Sequence, residues 1–183
     1  MSPALVLIDI QNDYFSGGAM ELVGTEAAAQ NAALLLSAFR ARGWPVVHIQ
    51  HIATRPSATF FLPGTPGADI HSSVQPQAGE SVFTKHFPNA FRDTPLLDFL
   101  RLHQTQQVVF AGNMTHLCID TSVRAAADMG FVCSLAHDAC ATKALAFHGV
   151  QVPAAQVHAS YLAGMNGSFA KVLPTADLIA ALA

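Results

Sequence analysis

Charge is scarce in this chain. Charged side chains make up 11% of its 183 residues, less than half the roughly 25% of an average soluble domain. Apolar residues make up 51%, and that balance excludes intrinsic disorder. The 9 Lys and Arg residues form no run and are outnumbered by 12 Asp and Glu, for a net charge of −3. Without a basic stripe to track phosphates, nucleic acid is not an expected partner. Only three cysteines are present, Cys118, Cys133 and Cys140, too few for a disulfide framework and suited to a reducing cytoplasm. Membrane-length apolar runs are missing, and Asp9 falls inside the first apolar stretch with no basic leader or small-residue cleavage site. Neither a membrane span nor a signal peptide is expected, which places the chain in the cytoplasm. No Gly-x-Gly-x-x-Gly or Walker pattern follows a strand, so no nucleotide cofactor is expected. Length, with no repeat or linker, gives one domain over residues 1–183.

What is present alternates. Residues 4–10 form a continuous aliphatic run, the pattern of a strand covered on both faces. After the Gly17-Gly18 turn, Thr25 can cap an Ala- and Leu-rich helix to about Arg42, stopped by Gly43, and residues 45–51 read as a second strand. Residues 52–79 hold four prolines and the pair Phe60-Phe61, an irregular segment of the length used by lids. Further strands are expected at 81–84, 107–111, 131–136 and 169–173. Helices are expected from Asp93 or Thr94 to about His103, after a turn within 111–130, at 152–163 with Pro153 in its first turn, and at 175–182. This alternation predicts an α/β fold, a three-layer αβα sandwich around a mostly parallel six-stranded sheet of order 3-2-1-4-5-6.

Such sheets bind ligands at the carboxyl ends of their strands, where the strand order reverses, here between the first and fourth strands. Asp9 ends the first strand, Cys118 follows the fourth by one turn, and Lys85 leaves a neighbouring strand at the same edge. With Thr115 as N-cap, Cys118 is the third helical residue, where unpaired amides and the helix dipole favour a thiolate. A carboxylate can take the thiol proton, and an ammonium can hold that carboxylate in place.

Three segments carry a resemblance: LVLIDIQNDYF around Asp9, VFTKHFPNAF around Lys85 and AGNMTHLCIDTSVRAA around Cys118. Together, in this order and with the HDA stretch at 137–139, they closely resemble the isochorismatase-like cysteine hydrolase family. The resemblance implies a catalytic triad of Asp9, Lys85 and Cys118, and an oxyanion hole made by the backbone amides of Met114 and Cys118. It also implies a cis peptide between Asn113 and Met114, which costs about 3–4 kcal/mol where no proline is involved. The activity implied is hydrolysis of a C–N bond in a small amide through a thioester. Two alternatives stand beside it: vinyl ether hydrolysis of the isochorismatase type, and a non-catalytic thiol-sensing or binding protein on the same scaffold.

Next to the motif residues, Phe15, Phe91, Thr115 and Leu117 are the expected substrate-binding side chains. His48 and His51 are three apart on a strand and point to opposite faces, so they cannot easily share an ion. Nicotinamidases of the superfamily carry an Asp-Trp-His metal segment; His51 and Ala53 fall on its Asp and His positions, so no metal is expected. The low charge fraction and the apolar segment 52–79 predict a homo-oligomer, and the resemblance implies a small-molecule substrate.

Overall fold

The computed structural model describes residues 2–182. Eight strands and five α-helices follow in chain order. They are β1 (Ala4–Ile8), α1 (Thr25–Ala41), β2 (Val46–His51), β3 (Ser81–Lys85), α2 (Leu96–Leu102), β4 (Gln107–Asn113), α3 (Asp120–Asp128), β5 (Val132–Ala141), β6 (Leu145–Phe147), β7 (Val150–Val152), α4 (Ala154–Met165), β8 (Ala170–Leu173) and α5 (Thr175–Ala181). Six strands form one parallel sheet in the order β3-β2-β1-β4-β5-β8. The expected topology holds, with β8 as the sixth sheet strand, because an antiparallel hairpin, β6–β7, is inserted before α4.

The sheet's centre explains its sequence. All five β1 residues are buried, since helices cover both faces and leave no solvent side to alternate toward. Helix α1 buries Ala28, Ala32, Leu35, Leu36 and Phe39, three or four residues apart, as an apolar stripe against the sheet. It packs with α5, whereas α3 packs with α4; right-handed crossovers running in opposite directions from β1 and β4 place these pairs on opposite faces. Thr25 is not the cap of α1. Gly24 takes that position in a left-handed conformation, and the Thr25 hydroxyl turns back to the Leu22 carbonyl at 3.3 Å. Among the described residues no helix is long and apolar enough to cross a membrane.

β1 and β4 approach closely because Gly112 has no side chain. Its φ is +138°, and a Cβ there would lie 2.0 Å from the Ile8 carbonyl oxygen. The strand ends that follow, Asp9 and Asn113, therefore sit side by side, joined by a 3.1 Å bond from the Asn113 amide to the Asp9 carbonyl.

At the opposite end of the sheet, Glu80 ties α1 to β2. Its carboxylate accepts from Arg40 at 2.6 and 2.7 Å, lies 3.0 Å from His48 Nε2, and caps the Gln77 amide at 2.8 Å. Burial alone would raise Glu80; the Arg40 guanidinium, the Gln77 amide and His48 outweigh it and hold the carboxyl at about 2. A depressed carboxylate stabilises the fold above its unfolded pKa, and the effect is lost as pH falls toward the folded value. Glu80→Gln is therefore expected to cost about 1–3 kcal/mol at neutral pH. The difference from wild type should close below pH 4.5 toward 2, as read from urea midpoints across the acid range.

Candidate active site

Four adjacent strands deliver the site. Asp9 follows β1, His51 ends β2, Lys85 ends β3 and Cys118 sits in the turn after β4. Asp9 adopts a left-handed backbone, φ 54°, which turns the chain out of the sheet at the point where its carboxylate is needed. Both Asp9 and Lys85 are fully buried. The Lys85 ammonium lies 2.8 Å from Asp9 Oδ2 and 3.3 Å from Cys118 Sγ, and it also reaches His51 Nδ1 at 3.0 Å. The three residues read from the motifs thus meet in one cluster, with a fourth beside them.

The turn carrying Cys118 differs from the expected helix start. Residues Thr115–Ile119 form a π-type turn and α3 begins only at Asp120; Met114, not Thr115, is the capping residue, with φ 60° and ψ 67°. A wider turn of this kind recurs where a functional side chain is displaced from a helix. The expected cis peptide is absent: the Asn113–Met114 bond is trans. The left-handed Met114 already reverses the chain, so the costlier isomer is not required. Among the described residues the Met114 amide meets no backbone acceptor, and Met114 lines the cavity.

Electrostatics also differ from expectation. Burial first, then the Asp9 charge, push the Cys118 thiol well above its ordinary value, and Lys85 opposes them only in part. The resting sulfur is a thiol, not a thiolate stabilised by a helix end, because desolvation outweighs the local dipole. Burial would lower Lys85, but Asp9 and Cys118 raise it, so the amine is an ammonium. Burial and the Lys85 charge bring His51 down to about 4.

The sulfur opens on a cavity of about 280 Å³ whose walls include Tyr14, His51, Phe60, Met114 and Leu117. Residues 53–60, from the irregular segment after β2, supply much of the lining. Of the expected substrate-binding residues only Leu117 lines this space. Phe15 is buried and stacks on His71 at 3.6 Å between ring centroids; Phe91 packs toward Phe131; the Thr115 hydroxyl turns to the Ala141 carbonyl and His158. Adjacency to a motif residue does not put a side chain on its face, and these three point into packed structure. Tyr14, His51, Arg55, Phe60 and His86 are among the lining residues outside that expected set. Tyr14 sits in the same LVLIDIQNDYF segment as Asp9, and burial followed by the Cys118 and Asp9 charges raises its phenol, keeping it neutral.

This fold and this arrangement match a known class. The isochorismatase domain profile matches residues 3–177, and the chain belongs to the isochorismatase family of hydrolases. It is 48% identical over 175 residues to the isochorismatase family protein YddQ of Bacillus subtilis, spanning 96% of this chain and 97% of that one. A crystal structure described as an isochorismatase hydrolase from Oleispira antarctica superposes with a TM-score of 0.94 at 52% identity, covering 97% of this chain and 96% of the other. A more distant relative, the maleamate amidohydrolase of Pseudomonas putida, is 35% identical over 143 residues, 70% of this chain and 67% of its own.

Proposed function

We propose that this protein is a cysteine hydrolase that cleaves the C–N bond of a small amide, with Asp9, Lys85 and Cys118 as its catalytic triad. The observation that carries this reading is the Lys85 ammonium lying between the Asp9 carboxylate and the Cys118 sulfur, with that sulfur on the cavity wall. The amidohydrolase among the relatives supports the reaction type.

The resting thiol defines the order of events. As the sulfur attacks the amide carbon, Asp9 accepts its proton, so a free thiolate never has to persist in a dry site. Charge passes from the carboxylate to the carbonyl oxygen, where the Met114 and Cys118 amides receive it. Asp9 returns the proton to the departing nitrogen, the C–N bond breaks, and an acyl thioester with Cys118 remains. A water molecule, giving its proton to Asp9, then attacks the thioester; the acid leaves and the thiol re-forms with that proton. Lys85 keeps its charge throughout and holds Asp9 in register with the sulfur.

Mass spectrometry of the protein quenched during turnover of an amide panel tests this. The expected result is a mass increase equal to the acyl group, mapped to the peptide containing Cys118 and removed by hydroxylamine. Turnover with no adduct on that peptide, under conditions where thioester hydrolysis is slowed, overturns the covalent route.

A further inference from the structure

His51 lies between Asp9 and Lys85 at the strand ends and lines the cavity. An ammonium has three protons and no lone pair. Around Lys85 Nζ there are three acceptors, Asp9 Oδ2 at 2.8 Å, His51 Nδ1 at 3.0 Å and Cys118 Sγ at 3.3 Å. His51 Nδ1 must therefore accept, and a neutral imidazole that accepts at Nδ1 carries its proton on Nε2. Among the described residues Nε2 has no partner, while the backbone that carries the ring is held in place: the His51 amide donates to Gln11 Oε1 at 2.7 Å and its carbonyl accepts from Gln11 Nε2 at 2.8 Å. The cavity that His51 lines is rich in donors. Arg55 and the Tyr14 phenol share its lining, and no Asp or Glu does.

We propose that His51 is both a positioning and a recognition residue: Nδ1 aims the Lys85 ammonium at Asp9 and Cys118, and Nε2–H receives an oxygen on the acyl part of the substrate. The substrate class is then a small amide bearing a second carbonyl or carboxylate oxygen. This deepens the cysteine hydrolase reading and rests on it. The charged and titratable groups facing His51 are Lys85, Asp9, His86 and Arg55; burial and Lys85 dominate and keep the ring neutral above about pH 4.

The test uses the intact protein. Long-range proton–nitrogen correlation spectra of isotope-labelled protein, with His51 signals assigned by their loss in His51→Phe, report the tautomer without any substrate. A bare Nδ1 and a protonated Nε2 are expected from about pH 5 to about pH 9; an Nδ1–H tautomer or an imidazolium at neutral pH overturns the positioning role. Recognition is read in Cys118→Ala, which still binds, using succinamate and butanamide as matched probes with and without the second oxygen function. Succinamate should shift the Nε2–H signal and bind about tenfold more tightly than butanamide. Adding His51→Phe to that protein should remove the preference. A preference that survives there, or no Nε2–H shift, overturns recognition. On a turned-over amide, kcat should fall in His51→Phe and recover in His51→Asn, whose amide oxygen replaces Nδ1 alone; an unchanged kcat in His51→Phe overturns positioning. Failure of the hydrolase reading looks different: Cys118→Ala would then turn over amides as fast as wild type, whatever the His51 spectra show.

Discussion

Cys118→Ala is expected to lower amide hydrolysis by at least about 10³-fold while leaving the protein folded. The sulfur is the bond-forming atom, and among the described neighbours none can replace it: Asp9 is the proton carrier, Lys85 is an ammonium without a lone pair, and the Tyr14 phenol is held neutral. Cys118 is buried and small, so losing one sulfur leaves a modest void that costs about 1 kcal/mol, within the ordinary range for point substitutions. Ammonia release measured against a thermal melt of the same preparation separates the two effects. An alanine variant that keeps a tenth of wild-type turnover would rule out nucleophilic sulfur.

Lys85→Met should act on stability as well as activity. It leaves the Asp9 carboxylate fully buried with its counterion removed, a situation that costs about 3–5 kcal/mol. Adding Asp9→Asn removes the stranded charge, so the double variant should regain most of the lost stability and none of the activity. The pH dependence has a definite sign. Lys85 is raised in the folded protein, so its contribution is complete below the unfolded value and disappears as pH rises through the folded one. The gap between wild type and Lys85→Met should thus persist through neutral pH and narrow only above about pH 10. Denaturant midpoints of the wild type and both variants decide the matter. A double variant no more stable than Lys85→Met would show that the lysine stem, and not the charge pair, holds this part of the structure.

The sheet order and the meeting of Asp9, Lys85 and Cys118 were legible because each follows from a local rule. A run buried on both faces reads as a central strand, and strand ends at the reversal of order converge. The turn at 115–119 was not legible in the same way. Thr115 has the chemistry of a helix cap, and nothing in a single sequence distinguishes a tight helical start from the wider one that forms here; the hydroxyl is drawn instead to Ala141 and His158. The extension of β5 to Ala141 depends on an irregularity in its pairing with β4 between Phe110 and Gly112, a tertiary event with no local signature. His51 was weighed only as a metal ligand, because its role depends on a lysine 34 residues later reaching across the strand end.

The wall formed by residues 53–60 comes from one uninterrupted stretch of chain between β2 and β3, whereas the reacting groups are anchored at strand ends and in the turn after β4. Much of the selectivity is thereby carried apart from the reactivity, with His51 serving both. A descendant can exchange that stretch for another and acquire a different diet without disturbing the atoms that make and break bonds, which is how one scaffold can serve many hydrolytic trades.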